Sequence, residues 1–541
     1  MPPFPIDPDS PRYALEGRVV TMNAAFDVIP RGRIYVDAAR IAAVVPAAAP
    51  PPAGMENVTV IRTGGTIFPG LIELHNHLSY NALPMWALTE RFDNRGIWGG
   101  RPDYRQLVSR PASVLGRTEG LVQSVVRYVE VKCLVSGVTT TQGVTLSSNA
   151  GIRRFYRGVV RNVEQTDEPD LQEASTRIAD VSSGDAIRFL EQLRRERSLL
   201  LLHLSEGIDN TARRHFQALQ IQGDEWAITS TLAGIHCCGL QDEDYATLAS
   251  HQGSMVWSPF SNLLLYGRTS DFARARREGV PMALGPDWSP TGSKNLLAEL
   301  KVARIVSEEA GGVFSDREIV AMATINAARI LKWDASLGSI ESGKRADLMV
   351  VDNQTGDAYD KLIDARETSV TLVVIDGIPR YGSPGFMAKF PGNLETLRVG
   401  RSTRALNLKQ ATADPIVGAI SLADATARLA DGLRRLPELA ASPAPAGARA
   451  AMSAALDDER WFLELDHERF DGTQVRLTTP LGMGESPFDV AARAAADARP
   501  LIPLELDPLT VMDDARFGAR IANQPNLPER LKRELPRLYG K

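Results

Sequence analysis

Cysteine is scarce, with three in 541 residues. Three thiols cannot build a disulfide framework, and no pair stands in the C-x-x-C spacing of a thiolate zinc site. Cys237 and Cys238 are adjacent, where a disulfide closes only with strain, and Cys133 lies in an apolar stretch that reads as core. Lysine is also rare: of the 61 basic residues ten are Lys, and none falls between Lys132 and Lys294. No excess of positive charge exists, since the formal net charge is −5, which argues against a phosphate-backbone partner. No apolar run approaches the ~20 residues of a membrane helix. The opening MPPFPIDPDS has neither the basic nor the apolar region of a signal peptide. These absences predict a cytoplasmic protein with no nucleic acid and no membrane among its partners, and leave a homo-oligomer open.

What is present has the patterning of a large α/β protein. Short β-like runs occupy residues 18–45, and VTVIRTGGTIFPG continues them to residue 70; similar runs return as ADLMVVD (346–352) and TLVVIDGIPRYG (371–382). Between these flanks eight apolar runs alternate with helical stretches: IFPGLIELHNH, GVTTTQG, YRGVVRNVE, the weak TRIADVS, LLLLHLS, AGIHCCG, SMVWSP and VPMALGPD. Alternation over that length predicts a (β/α)8 barrel, which needs ~250 residues. The expected organisation is an N-terminal part of a composite β-sandwich domain (1–66), the barrel (67–333), the C-terminal part of the β domain (334–385) and a mostly helical extension (386–541). A long connection, from Leu78 to Gly116, follows the first strand before a helical pattern settles at 119–135. The extension is too apolar for simple disorder and fits a lid, a packing arm or an oligomer contact.

Seven histidines stand at 75, 77, 203, 215, 236, 251 and 467. Four of them, His75, His77, His203 and His236, close predicted barrel strands, as does Asp287, and barrel active sites are built at those ends. His75 and His77 are two apart on a strand and so share a face. A lone histidine there is more often structural; four with an aspartate at successive strand ends are hard to obtain by chance. Three imidazoles and a carboxylate suit Zn²⁺ or Fe²⁺. His215, His251 and His467 read as surface or packing residues, with His467 reaching the site from the tail as the alternative.

GTIFPGLIELHNH, HLSEG, GIHCCGL, WSPFSN and GPDWSP, followed by ATINAARIL and LGSIESGKRADLMVVD, resemble the amidohydrolase superfamily of metal-dependent hydrolases. The branch most resembled is that of the cytosine and guanine deaminases and the s-triazine hydrolases. The resemblance covers about residues 15–382 and not the extension. It implies metal ligation by His75, His77, His203 and Asp287, a proton shuttle at Glu206, and a polarising or water-steadying role for His236; Asp287 would also hydrogen-bond the attacking hydroxide. A metal in such a site lowers the pKa of its water toward ~7. Binuclear relatives usually bridge their metals with a carbamylated Lys, which this chain cannot supply; Glu164 is the remaining candidate for a second metal. One divalent ion, Zn first and Fe second, is the expectation.

The long first connection brings Tyr80, Trp86, Phe92, Trp98 and Tyr104, interleaved with Arg91, Arg95 and Arg101. With Trp257, Phe260, Tyr266 and Trp288 near other strand ends, an aromatic-walled pocket is expected, and Tyr80, Trp86, Trp257 and Trp288 are its candidate substrate contacts. The arginines suit an anionic group; packing of the connection onto the barrel is the plainer reading of the aromatics. The sequence therefore predicts a hydrolase of a non-peptide C–N bond in a small, aromatic or cyclic molecule, either a deaminase or an amide or lactam hydrolase. The alternative is a catalytically silent relative that keeps the fold for binding or assembly.

Overall fold

The computed structural model describes residues 6–7, 9–196, 198–352, 354–409, 416–417, 420–441, 460–466 and 499–541. Eight short parallel strands lie in two runs. Leu71–Ile72, Val138–Thr141 and Arg161–Asn162 form the first; Ser175–Arg177, Leu200–Leu204, Leu232–His236, Ser254–Trp257 and Met282–Leu284 form the second. The Ala174 amide donates to the Val163 carbonyl at 2.7 Å across one seam, and the Leu74 amide to Leu284 at 3.4 Å across the other. The result is a TIM-barrel-like α/β fold, and each of the eight apolar runs overlaps one of these strands. Strands covered on both faces need near-continuous apolar sequence, which is why Leu199–Leu202 and Met255–Trp257 stood out. Ile72, Val163, Leu201, Ile235, Val256 and Ala283 share one apolar cluster, which draws on both runs.

A nine-stranded sheet takes Arg12–Val20, Val28–Asp37, Arg40–Pro46 and Thr59–Pro69 from the first flank. From the second it takes Leu348–Val351, Val370–Ile375, Ile378–Gly382, Glu395–Val399 and Ser402–Leu406. The flanks join where Leu348–Val351 runs antiparallel to Thr66–Pro69. The hairpin Glu395–Leu406 lies beyond the boundary expected at residue 385. It turns at Gly400 (φ 57°), where only glycine is unstrained, and its short strands carry the charges Glu395, Arg398 and Arg404, which hid the β pattern. The connection after the first strand also differs from a plain loop. Pro102–Tyr104, a π-helical turn Arg105–Ser109 and Arg110–Arg117 run on as helix, with Pro102 at a tolerated starting position and Pro111 inside the run, just after the π-turn.

Among its described residues, the extension packs against the barrel through a helix, a C-terminal arm and the short segment 460–466. Helix Leu422–Arg434 lies along Leu121–Leu134, with Leu429 and Leu433 fully buried. The arm 499–541 carries helices Phe517–Ala522 and Glu529–Leu538 and buries Val511, Ile521, Leu531, Leu535 and Tyr539. Asp507 of this arm is 1% exposed and pairs with both Lys132 and Lys294. Among the described residues no helix is long and apolar enough to cross a membrane.

Candidate metal centre and active site

The site is assembled where the strands end. His75 follows the first strand, His203 lies in Leu200–Leu204, His236 ends Leu232–His236, and Asp287 follows Met282–Leu284. The first and last strands are laced together, since the His77 amide donates to the Asp287 carbonyl at 2.8 Å and the Asp287 amide to His75 at 3.1 Å. A Cβ on Gly285 would lie 2.4 Å from the Cβ of His75, so that approach requires glycine. Ser205 (φ 50°), His236 (φ 69°) and Asp287 (φ 67°) all hold the left-handed backbone conformation. Non-glycine residues there carry strain, and its concentration at one locus is typical of functional sites.

His75 Nε2 is 3.0 Å and His77 Nε2 3.4 Å from Asp287 Oδ1, and His203 Nε2 is 3.3 Å from His77 Nε2. The donor atoms of His75, His77 and Asp287 lie mutually within 4.8 Å, as do those of His75, His203 and His236. His75 Nε2 and His203 Nδ1 are buried without a hydrogen-bond partner. Two ring nitrogens converging on one carboxylate oxygen, with an orphaned nitrogen among them, fit a divalent cation with N and O ligands. The outer atoms are tied down: His75 Nδ1 faces Gln142 Oε1 at 3.3 Å, His236 Nδ1 faces Asn262 Oδ1 at 2.9 Å, and Ser261 Oγ donates to Asp287 Oδ2 at 2.6 Å. Such partners fix ring orientation and tautomer.

Burial pushes His75 and His203 toward the neutral ring, and for His203 the neighbouring His75 and His77 act in the same direction. Burial works to raise the Asp287 carboxyl, but His75 and His77 outweigh it and hold the group well below the usual carboxylate range. Burial also works to lower the His77 pKa, but Asp466 and Asp287 outweigh it and raise it. His75 and His203 are thus held neutral beside an ionised carboxylate, the protonation states in which such groups bind metal.

Glu206 is 5% exposed, with Oε2 3.9 Å from His236 Nε2. Tyr266 donates to its Oε1 at 2.9 Å, Arg95 to its Oε2 at 3.3 Å, and Trp98 Nε1 donates to the Tyr266 hydroxyl at 2.9 Å. Glu164 accepts from the Gly143 amide and from Thr176 Oγ1, each at 2.7 Å; burial pushes its pKa up to about 7. It stands outside both donor groups.

Tyr80 and Trp288 flank the centre, with rings 4.7 Å apart and centroids 6.4 and 5.2 Å from His77. Trp86 stacks on Phe92 at 5.7 Å and meets Tyr104 at 5.4 Å, one layer further out. Trp257 departs from the expectation of a substrate contact. Fully buried, it stacks on Phe272 at 4.6 Å and donates Nε1 to Thr269, because side chains alternate along a strand and Trp257 faces the helical layer. The arginines differ too. Arg95 pairs with Asp180 and Glu206, and Arg101 with Glu90 and Asp103. Instead, a cavity of about 500 Å³ beside His77 presents Glu164, Glu173, Glu464 and Asp466, with Arg153 the single cation in its lining. His215 lies 3.1 Å from Asp180 and His251 bonds local backbone carbonyls, as surface and packing residues do; His467 lies outside the described residues.

Sequence reasoning missed Asp466, whose Oδ2 lies 2.7 Å from His77 Nδ1 across 389 positions. It also left without roles Tyr266 and Arg95, which hold Glu206, and Gln142 and Asn262, which face His75 and His236. Asn262 and Tyr266 stood near the WSPFSN motif, a signal of place though not of partner.

Residues 185–379 match the amidohydrolase family. Over 388 residues the chain is 26% identical to the 5-methylthioadenosine/S-adenosylhomocysteine deaminase of Symbiobacterium thermophilum, covering 63% of this chain and 85% of that protein. It is 24% identical to the 5'-deoxyadenosine deaminase of Methanothermobacter thermautotrophicus, covering 60% and 82%. Among solved structures, an adenosine deaminase from Xanthomonas campestris with bound zinc superposes with a TM-score of 0.52 at 18% identity, over 81% of this chain and 100% of that one. The atrazine chlorohydrolase of Arthrobacter aurescens complexed with zinc gives 0.52 at 18%, over 68% and 94%. These structural likenesses show the fold. Over residues 185–379 by the family match, and more widely by these relatives, the chain resembles the amidohydrolase deaminases and the s-triazine hydrolases.

Proposed function

We propose that this chain is a hydrolytic deaminase that replaces the amino group of a nitrogen-containing ring, using one divalent ion, zinc first, held by His75, His77, His203 and Asp287. The observation that carries the reading is the convergence of those donors beside Glu206, with His75 and His203 neutral beside an ionised Asp287. Bound there, the metal supplies an activated water at neutral pH.

The chain's own groups do the rest. Glu206 Oε2 takes a proton from the attacking water and delivers it to the departing nitrogen, the paired transfer that a positioned carboxylate performs. Tyr266 and Arg95 hold that carboxylate in place. His236, its Nδ1 engaged by Asn262, presents Nε2 to the substrate; its place beside His75 and His203 also supports a ligand role. Asp287 Oδ1 accepts a hydrogen bond from the attacking water. Tyr80 and Trp288 pack against the ring of the substrate, and Trp86 supports them from behind. The carboxylate-lined cavity suits the N–H and O–H donors of an aminated heterocycle, and the relatives' names put adenine-bearing nucleosides first among them.

The organisation that serves this chemistry is the barrel over residues 67–333, a β domain made from both flanks and carried on to residue 406, and an extension whose described segments are packed on the barrel.

The test is ammonia release from a panel containing 5'-deoxyadenosine, 5'-methylthioadenosine, S-adenosylhomocysteine, guanine and an amino-s-triazine, with a lactam alongside. Ammonia from a ring amine supports the reading, and Asp287→Asn should lower that rate at least ~10²-fold with the fold intact. Ring opening of the lactam alone would make the enzyme an amide hydrolase. No turnover by metal-loaded protein would favour a silent relative.

A further inference from the structure

Among the described residues, the C-terminal extension reaches the active site through the short segment 460–466. Trp461–Leu463 pairs antiparallel with Thr145–Ser148, in the register Trp461↔Ser148, Phe462↔Ser147 and Leu463↔Leu146. The Asn149 amide donates to the Arg460 carbonyl at 3.0 Å, and the Glu464 amide to Thr145 at 3.0 Å, so the pairing is closed at both ends. Arg154 lies 4.3 Å from the Trp461 ring centroid. Alternation then sorts the side chains. Leu463 and Leu465 are 2% and 1% exposed, and Glu464 and Asp466 line the cavity beside His77. Glu464 is fixed by Arg153 at 2.7 Å. Asp466 extends to His77 Nδ1 at 2.7 Å, while His77 Nε2 faces Asp287 and His203.

We propose that Asp466 is a positioning residue of the metal centre, so that the extension supplies the carboxylate that orients His77. The inference rests on the ligand role given to His77 above. For Nε2 to bind a cation with its lone pair, the ring proton must sit on Nδ1. A carboxylate oxygen at 2.7 Å from Nδ1 selects that tautomer, holds the ring plane and increases the donor strength of Nε2. His75 has the neutral amide oxygen of Gln142 at the longer distance of 3.3 Å, and His236 has the amide oxygen of Asn262. Among the described residues, His77 is the one histidine of the centre whose outer nitrogen meets an anion, and that anion comes from outside the barrel. The extension is thereby part of the site and not merely packed beside it.

The experiment measures zinc affinity by chelator competition on the full-length protein, for the wild type, Asp466→Ala and Asp466→Asn, with His77→Ala as reference. Outer partners of metal-binding histidines typically contribute 10–100-fold in affinity. Asp466→Ala should lose affinity in that range, and Asp466→Asn, which keeps an acceptor oxygen, should recover part of it. The metal-free melting temperature of Asp466→Asn should stay near the wild-type value, and cobalt-substituted Asp466→Ala should show altered ligand-field bands. Wild-type affinity and spectrum in Asp466→Ala would overturn the proposal while leaving the function above intact. Zinc-loaded wild type without deaminase activity, together with a weakened Asp466→Ala, would overturn the function and sustain the proposal. A wild type that binds no zinc would overturn both.

Discussion

Replacing Asp507 by alanine tests how firmly the C-terminal arm belongs to the barrel. The carboxylate is 1% exposed and receives Lys132 Nζ at 2.6 Å on Oδ2 and Lys294 Nζ at 2.6 Å on both oxygens. Both lysines are themselves buried, so the substitution leaves two ammonium groups without their main anion. Asp514 stays 3.3 Å from Lys294, which retains a partial partner; Lys132 keeps only Ser289 Oγ and the Asn81 carbonyl. Removing one member of a buried pair destabilises by about 3–5 kcal/mol. At about 2.1 cal/mol/K of unfolding entropy per residue, a chain of this length has roughly 1.1 kcal/mol/K in all, giving a fall in Tm of roughly 3–5 °C. Scanning calorimetry measures it, and limited proteolysis should show cleavage within residues 499–541 before the barrel is cut. Asp507→Leu combined with Lys132→Met and Lys294→Met should restore most of the stability, because no charge is then left buried alone. An Asp507→Ala protein with wild-type Tm and protease resistance would refute the reasoning.

Glu206→Gln keeps the acceptor for Tyr266 but cannot carry the proton. Its kcat should fall by about 10²–10⁴-fold with zinc content unchanged; steady-state kinetics and metal analysis read the two separately. Lys301 is fully buried above the Tyr539 ring, where burial pulls its pKa down to about 7. The unfolded chain holds that proton up to about 10.5, so between those values unfolding takes up a proton and stability rises with pH. Lys301→Met should be more stable by a few kcal/mol near pH 6, and its advantage should shrink toward pH 10; Tm differences across that range check it.

The barrel was legible because buried parallel strands leave uninterrupted apolar runs, even one as weak as TRIADVS. The histidines and Asp287 were legible because they follow such runs. Trp257 and Trp288 looked alike in sequence, since both stand at the ends of apolar runs; Trp257 still lies in its strand and faces the helical layer, whereas Trp288 lies past its strand's end and reaches His77. Helix Arg110–Arg117 was hidden by the polar and glycine-rich residues before it, and the hairpin Glu395–Leu406 by its charges. Asp466 and Asp507 were beyond reach for a different reason. WFLELD shows the alternation that turns Asp466 one way, but its partner lies 389 positions earlier, and only the closed fold brings them together.

Zinc per chain, measured by elemental analysis on protein purified without chelator, tests the central claim most directly. The account predicts close to one equivalent in the wild type, and a clear loss in His203→Ala and Asp287→Asn. Two equivalents would contradict the single-ion centre and bring Glu164 in as a ligand; none, even after reconstitution, would contradict the metal centre itself.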